Sequence, residues 1–191
     1  MESTASILRG QFAEIQRDTD FGGPKRHFFS RLEMEGLLTF DCIAGCLAEL
    51  DRLKLTGRHD IRRYASIIRQ SSMLVFAALL LDGHEEYIME FLLHRDSDER
   101  LPYTIDGLEY LPPLVRSHFL QRQRQVNPVL LGGDEIHRQI DGDAIIPIVS
   151  QTKAGAGGFG TVWKTTIYPT CHCFDPQETA HVGNMFLSVF F

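Results

Sequence analysis

The sequence of 191 residues contains no long hydrophobic run. Its longest, Met73 to Leu81, has nine residues, whereas a helix that crosses a bilayer needs about 18 or more. We therefore expect a buried helix here, and no membrane partner. Residues 1–17 also lack a basic start followed by an apolar block, so no secretory signal is predicted and an intracellular, cytoplasmic location is expected.

An excess of positive charge is also absent. The net charge is −6, and the acidic excess comes from the front of the chain, since residues 151–191 sum to zero. A broad basic face for nucleic acid is therefore not expected. The pairs Arg62-Arg63 and Arg122-x-Arg124 are interpreted as solvated helix faces. With 43% hydrophobic residues, the length allows one sizeable core, or a main domain with a small appendage.

Cysteine is scarce, and no metal site is predicted. In Cys171-His172-Cys173, adjacent side chains would point to opposite sides of an extended chain. Zinc ligands are usually two to four residues apart. We therefore interpret these cysteines as free thiols in a loop. A turn rather than a calcium loop is predicted at Asp141-Gly142-Asp143, because the downstream ligands are missing.

Helical periodicity is strongest in the segment after residue 37. Apolar side chains recur every three or four residues from 40 to 53, Thr39 can cap the N-terminus, and Gly57 stands where the helix should end. Cys42 and Cys46 lie four residues apart and should share one face as small buried side chains.

More helices are predicted further along the chain. One begins near Asp60, and Met73 to Leu81 continues or restarts it. Others cover residues 85–94 and about 114–125. Between these last two helices, residues 96–113 contain several prolines and should form an irregular connection.

The two ends of the chain differ from this helical middle. Residues 1–36 are poorly determined: one short amphipathic helix is expected around residues 7–15, followed by a break at Gly22-Gly23-Pro24. After about residue 133 the residues favour β-structure, and Thr161 to Tyr168 completes a predicted β-hairpin. The predicted fold is mainly α: a bundle-like helical domain at 37–132 and a β-hairpin segment at 133–191.

The glycine-rich stretch at 155–164, GAGGFGTVWK, fits the pattern GxGxxGxV. Such a pattern alone is weak, because several phosphate-binding designs share it. A dinucleotide fold needs a helix after the last glycine, but β-branched and aromatic residues follow here. A Walker loop needs Lys and Ser/Thr directly after it, but Gly160 is followed by Thr161 and Val162. Two interpretations remain. One is a nucleotide-binding arrangement of a strand, a glycine turn and a second strand, and the other is a glycine-rich hairpin that binds no ligand.

In that arrangement the stretch resembles the nucleotide-covering loop of a protein kinase. The resemblance implies ATP as ligand, with the glycine backbone over the phosphates, Phe159 shielding them and Val162 on the adenine. Ala154 departs from the larger aliphatic residue of kinases, which implies weaker base contact. The implied ATP-binding residues are Ala154, Gly155, Ala156, Gly157, Gly158, Phe159, Gly160 and Val162.

The flanking sequence resembles a group of serine/threonine kinases common in filamentous fungi, through His137 to Pro147 and through Ile167-Tyr168-Pro169 leading to His172 and Phe174. No catalytic residue can be assigned. No lysine follows Lys164, and the sequence contains neither HRD nor DFG. We therefore expect a truncated kinase-like protein with an incomplete, weak ATP site, and magnesium only in a complete kinase.

Residues 169–191 have room for one more strand, for which 185–191 is the apolar candidate. Exposed, this segment would be prone to aggregation unless it pairs with something. The alternative hypothesis is a non-enzymatic helical interaction module. It would bind a protein partner through residues 37–125 or through the apolar C-terminal segment.

Overall fold

The computed structural model describes residues 2–19, 21, 24–50, 58–132, 140–157, 160–172 and 184–189. Its described part is mainly helical, as predicted, with a two-stranded and a three-stranded antiparallel sheet. The helices are α1 (Thr4–Ile15), α2 (Arg31–Leu37), α3 (Phe40–Glu49), α4 (Arg58–Ser71), α5 (Met73–Leu81), α6 (Ile88–Leu93) and α7 (Pro113–Val126). The strands are β1 (Arg17–Thr19), β2 (Arg26–Phe28), β3 (Ile148–Gly157), β4 (Gly160–Ile167) and β5 (Asn184–Val189).

Helix α5 is the centre of the larger core. All residues from Met73 to Leu80 are buried, and α1, α4, α6 and α7 pack around the helix. An apolar surface on every side is what a helix surrounded by others requires. The predicted buried helix is confirmed. None of the described helices alone has the length and apolar composition of a membrane span. Helices α4 and α5 taken together have that length and composition, but they are bent by 100° at the break between them.

Several helices begin or end at other residues than the sequence predicts. The Thr39 hydroxyl caps α3 as expected, accepting a hydrogen bond from the Cys42 amide at 3.3 Å. Helix α3 ends at Glu49, earlier than predicted, and Gly57 lies outside the described residues. The predicted last helix is confirmed as α7. The segment 85–94 begins as a 3-10 turn and is α-helical only from Ile88.

A carboxylate from a distant turn explains why α5 restarts rather than continues α4. Asp98 accepts hydrogen bonds from the amides of Leu74 and Val75, both at 3.0 Å. These amides belong to the first turn of α5, which has no intrahelical partner for them. Asp98 lies in a 3-10 turn within the segment predicted to be irregular. The cap therefore fixes both the break at Ser72 and the position of that segment.

Replacing Asp98 by alanine should destabilise the protein by about 1–2 kcal/mol, because two buried helix amides lose their acceptor. Asp98→Asn keeps one acceptor oxygen and should cost less. Urea unfolding of the three proteins measures the difference. An alanine variant as stable as the wild type would contradict this role.

The N-terminal segment is more ordered than the sequence indicates. The expected amphipathic helix is confirmed as α1, but a short hairpin of β1 and β2 and the seven-residue helix α2 follow it. Strands of three residues are too short for periodicity to reveal. The N-terminus of α1 is held by Glu49 of α3, whose carboxylate oxygens each lie 2.9 Å from the Thr4 amide.

Glu49 also accepts a hydrogen bond from the Thr4 hydroxyl at 2.6 Å. This bond is the main reason why the pKa of Glu49 lies below its ordinary value. A lowered pKa in the folded state stabilises the protein above the unfolded pKa of about 4.3, and that stabilisation is lost as pH falls through the folded value.

The difference in unfolding free energy between wild type and Glu49→Gln should therefore be largest at neutral pH. We expect about 0.5 kcal/mol, since the carboxylate is exposed. The difference should shrink as pH falls below about 4. Denaturant titrations at pH 7, 5 and 3 measure it, and a difference that grows on acidification would contradict the assignment.

The predicted β-hairpin is confirmed, but its limits differ. Strand β3 begins at Ile148, while residues 140–147 are not strand and include a turn at Asp141, where the Ala144 amide donates to the Asp141 carbonyl at 2.9 Å. Gly155 and Gly157 lie in β3 and Gly160 lies in β4 rather than in a long loop. The expected extra strand is present as β5, which pairs with β4.

A second, smaller core lies at the foot of this sheet, the end near Ile148 and Ile167. Its centre is Phe28, which is fully buried although it belongs to the N-terminal hairpin. The C-terminal β-segment is therefore packed against residues from the start of the chain. The buried members are Phe28, Leu131, Ile145, Ile167 and Cys171.

Candidate functional site

The glycine motif occupies the tip of the β3–β4 hairpin. Gly157 and Gly160 are paired across the strands, so the hairpin turns over two residues. Those two, Gly158 and Phe159, lie outside the described residues. Ala154, Gly155, Ala156 and Gly157 belong to β3, whereas Gly160 and Val162 belong to β4. The sequence-predicted residues with a described position are thus brought together on one hairpin.

A shift in register at Ala154 shapes the hairpin below its tip. Lys153 pairs with Trp163, whereas Gly155 pairs with Val162, so Ala154 is an extra residue on β3. Such a bulge bends the strand locally. Ala154 is exposed. Because Gly155 has no side chain, nothing from the directly opposed residue of β3 lies against the isopropyl group of Val162, whose neighbour on the other side is Ser188 of β5.

Glycine at position 155 is not required by the fold. A Cβ atom added there would meet nothing within 4 Å, and the backbone is outside the left-handed region that favours glycine. A larger residue would also favour the strand. A strand glycine often marks a bulge, as here beside Ala154, and it also leaves the main chain open to the approach of another molecule.

The two faces of β4 differ in burial. Thr165 and Ile167 are buried and face the smaller core, whereas Lys164 is exposed and Val162 is half-buried. Side chains alternate along a strand, so Val162 and Lys164 share the face away from that core. This face therefore presents one branched apolar side chain and one cation beside the glycine strand.

The third strand of this sheet, β5, lies next to β4 in the order β3-β4-β5. Its sequence, NMFLSV, contains no lysine. HRD and DFG are also absent from the sequence, so none of the catalytic residues of the kinase pattern can be assigned to the described site.

Two cavities in the described part have volumes of about 660 and 330 Å³, and neither is lined by residues 154–162. The candidate residues therefore lie outside both of these cavities. No group of three metal-ligating side chains occurs within the described ranges.

The buried thiols are unsuited to nucleophilic chemistry. Burial raises the pKa of Cys171 to about 11 and that of Cys46 to about 12, whereas a reactive cysteine needs a lowered pKa. Cys42 lies on the same helix as Cys46, as predicted, but it is half-buried rather than buried. The CHC motif cannot be followed further, since Cys173 lies outside the described residues.

A polar cluster that the sequence did not reveal anchors the hairpin foot. The Tyr168 hydroxyl accepts from Arg17 Nε at 3.0 Å and donates to Glu33 Oε1 at 3.1 Å. Arg17 also pairs with Glu33 at 2.6 Å, and Phe28 contacts the Tyr168 ring edge-on at 5.7 Å. Arg17 and Phe28 come from the first hairpin and Glu33 from α2. Contacts over such sequence separations carry no local sequence signal.

The interpretation of Arg122-x-Arg124 as a solvated face is wrong. Arg122 binds Asp82 at the end of α5 through Nε and Nη2, at 2.8–3.1 Å. Arg124 pairs with Asp141 at 2.8 Å. Both arginines therefore hold α7 to neighbouring segments. Arg62 and Arg63 are exposed, as expected.

Comparisons of the chain with protein-family models, with curated proteins and with solved structures give no match. The likeness to kinases therefore rests on the glycine motif and its strand context.

The coupling between Arg17 and Tyr168 can be measured by a double-mutant cycle of Arg17→Met and Tyr168→Phe. We expect a coupling energy of about 1 kcal/mol, because the hydrogen bond is partly buried and charge-assisted. Arg31, an exposed arginine paired with Glu35 on α2, gives the matched control. The effects of Arg31→Met and Tyr168→Phe on the unfolding free energy should be additive. If the effects of Arg17→Met and Tyr168→Phe are additive as well, the anchoring role is contradicted.

Proposed function

We propose that the β3–β4 hairpin binds ATP in the manner of a kinase glycine-rich loop. The observation that carries this proposal is Gly155: the fold does not require a glycine there, and it lies directly across from Val162. A bare main chain beside a half-buried aliphatic side chain is suited to a nucleotide, whose phosphates approach backbone amides while its base lies on the apolar group.

The described geometry supports a division of roles along the hairpin. The glycines at the tip would leave main-chain amides accessible to the phosphates, and Val162 would contact the adenine. Lys164 lies on the same face of β4 as Val162 but farther from the tip, so its charge would lie on the base side of the ligand rather than beside the phosphates. The small Ala154 side chain would give the base little cover on the β3 side.

Binding by this chain should be weak and should not lead to phosphoryl transfer. Kinases require a third-strand lysine, a catalytic aspartate and a metal-binding aspartate, and the sequence offers no residue in these roles. Ala154 is exposed and Gly155 has open space beside it, so this part of the hairpin would exclude little water. We therefore expect a dissociation constant on the order of 1 mM, or about −4 kcal/mol.

Titration of the full chain with ATP, followed by the backbone amide resonances of residues 153–166, tests the proposal. Wild type should show saturable shifts there. Gly157→Asp should lose them, because its carboxylate repels the phosphates. Gly10→Asp adds the same charge on an exposed face of α1 where a Cβ meets nothing within 4 Å, and it should bind as wild type does.

Gly155→Val separates binding from folding. The substitution adds a β-favouring residue in open space, so the hairpin should stay folded or gain stability. The same side chain would cover the main chain and Val162, and ATP binding should be lost. If wild type shows no saturable shifts, or if Gly155→Val binds as well as wild type, the nucleotide role is refuted. The helical interaction module would then be the better hypothesis.

A further inference from the structure

The larger cavity lies where the N-terminal hairpin meets α7 and the segment before β3. It has a volume of about 660 Å³, within the range of small-molecule sites. Its walls come from the start of β2, from the Tyr103–Ile105 segment, from residues 120–125 and from residues 143–145. None of these residues belongs to the glycine motif, so the cavity is a separate candidate site.

The ionisable groups on the cavity wall are mostly basic. Lys25, Arg26, His27 and Arg124 line it, against the single carboxylate of Asp143. Three of these four are cationic side chains, and the ring of His27 adds charge only when protonated. The side-chain amides of Gln121 and Gln125 also line the cavity. A wall of N–H donors is suited to an anion with several acceptor oxygens.

Carboxylates outside the cavity wall hold these cations in place. Asp18 is shared between Lys25 at 2.5 Å and His27 at 2.6 Å. Asp141, which is more than half exposed, pairs with Arg124 at 2.8 Å. Exposed pairs of this kind contribute little stability. An anion in the cavity can therefore compete with Asp141 for Arg124 at small cost.

Arg26 is fixed differently, by main-chain acceptors. Its Nη1 donates to the carbonyl oxygens of Asp143 and Ala144, both at 3.3 Å. These acceptors carry no formal charge, so the positive charge of Arg26 is not neutralised by this contact. The guanidinium is thus held at the cavity by the segment that leads into β3.

A smaller, more apolar cavity adjoins the first. Its volume is about 330 Å³, and the two share Gln123 and Arg124 on their walls. Pro102, Pro128 and Val129 contribute to its lining. Asp141 also lines this smaller cavity, so a ligand with a charged head in the larger cavity would have a partly apolar lining next to it, at the wall that Gln123 and Arg124 share.

We propose that the larger cavity binds the phosphate group of a small organic phosphate monoester, which takes Arg124 over from Asp141 and directs its organic part to the smaller cavity. The phosphate supplies acceptors for Lys25, Arg26 and Arg124 together. The site is independent of the ATP-binding hairpin, and its occupant contacts the chain directly before β3.

Phenyl phosphate and inorganic phosphate, each titrated into the full chain and followed by amide resonances of residues 24–28 and 120–126, test the proposal. Phenyl phosphate should bind saturably, at least threefold more tightly than inorganic phosphate. Arg124→Gln should weaken it about tenfold. Asp141→Asn should strengthen it two- to fivefold, because Arg124 loses its competing partner. Arg62→Gln removes an exposed arginine of α4 away from both cavities and should change nothing.

The two variants at one ion pair make the test specific. If only the loss of the ion pair mattered, Arg124→Gln and Asp141→Asn would change the affinity for phenyl phosphate in the same direction. That result overturns the proposal. So does the absence of saturable shifts. Equal affinity for both probes would overturn the part that assigns the organic group. If Arg124→Gln does not fold, Lys25→Gln at a largely exposed position takes its place.

Gly157→Asp keeps the two proposals apart. It should leave phenyl phosphate binding unchanged while removing ATP binding at the hairpin. Conversely, Arg124→Gln should leave the ATP-induced shifts of residues 153–166 unchanged. Either proposal can therefore fail without the other.

Discussion

The burial of two successive phenylalanines in two different cores is the constraint on which the rest of the structure depends. Phe28 is at the centre of the smaller core under the β3–β4 hairpin, whereas Phe29 joins the larger helical core. Neighbouring side chains of an extended chain point to opposite sides. The last residue of β2 and the residue after it therefore connect both cores, and the amide of Phe29 donates a hydrogen bond to the Gln125 carbonyl of α7 at 2.9 Å.

This connection gives the glycine hairpin a fixed base and an open tip. Ile148 and Ile167 are buried at its foot, and Tyr168 is held there by Arg17 and Glu33. Toward the tip, by contrast, Ala154 is exposed and Gly155 has open space beside it. A rigid base under a bare main chain suits a loop that must receive a ligand, since ordering the foot lowers the entropy that binding has to overcome.

Local patterns predicted those elements whose cause is local. The helices α3, α5 and α7 follow from the spacing or density of their apolar residues, and Thr39 was identifiable as a cap from its type and position. The hairpin followed from β-branched residues on either side of the glycines. Each of these signals lies within a window of about ten to fifteen residues.

What the sequence could not predict depends on distant contacts. The amides at the start of α5 are capped by Asp98, 24 residues after Leu74. Arg122 appeared solvent-exposed because its partner Asp82 is 40 residues away. The strand β2 was missed because three residues show no period, although its last residue is fully buried. In the candidate site, the glycines were identifiable from the sequence. The bulge at Ala154 was not, because it depends on the register between β3 and β4.

The dependence of the hairpin on Phe28 can be measured most directly by native-state hydrogen exchange of wild type and Phe28→Ala. Truncation of this side chain should remove about 3–5 kcal/mol from the smaller core. Amides of β4 should lose protection by a matching amount, while those of α5 keep theirs relative to global unfolding. Protection of β4 that is unchanged by Phe28→Ala would contradict the role of this residue as the base of the candidate site.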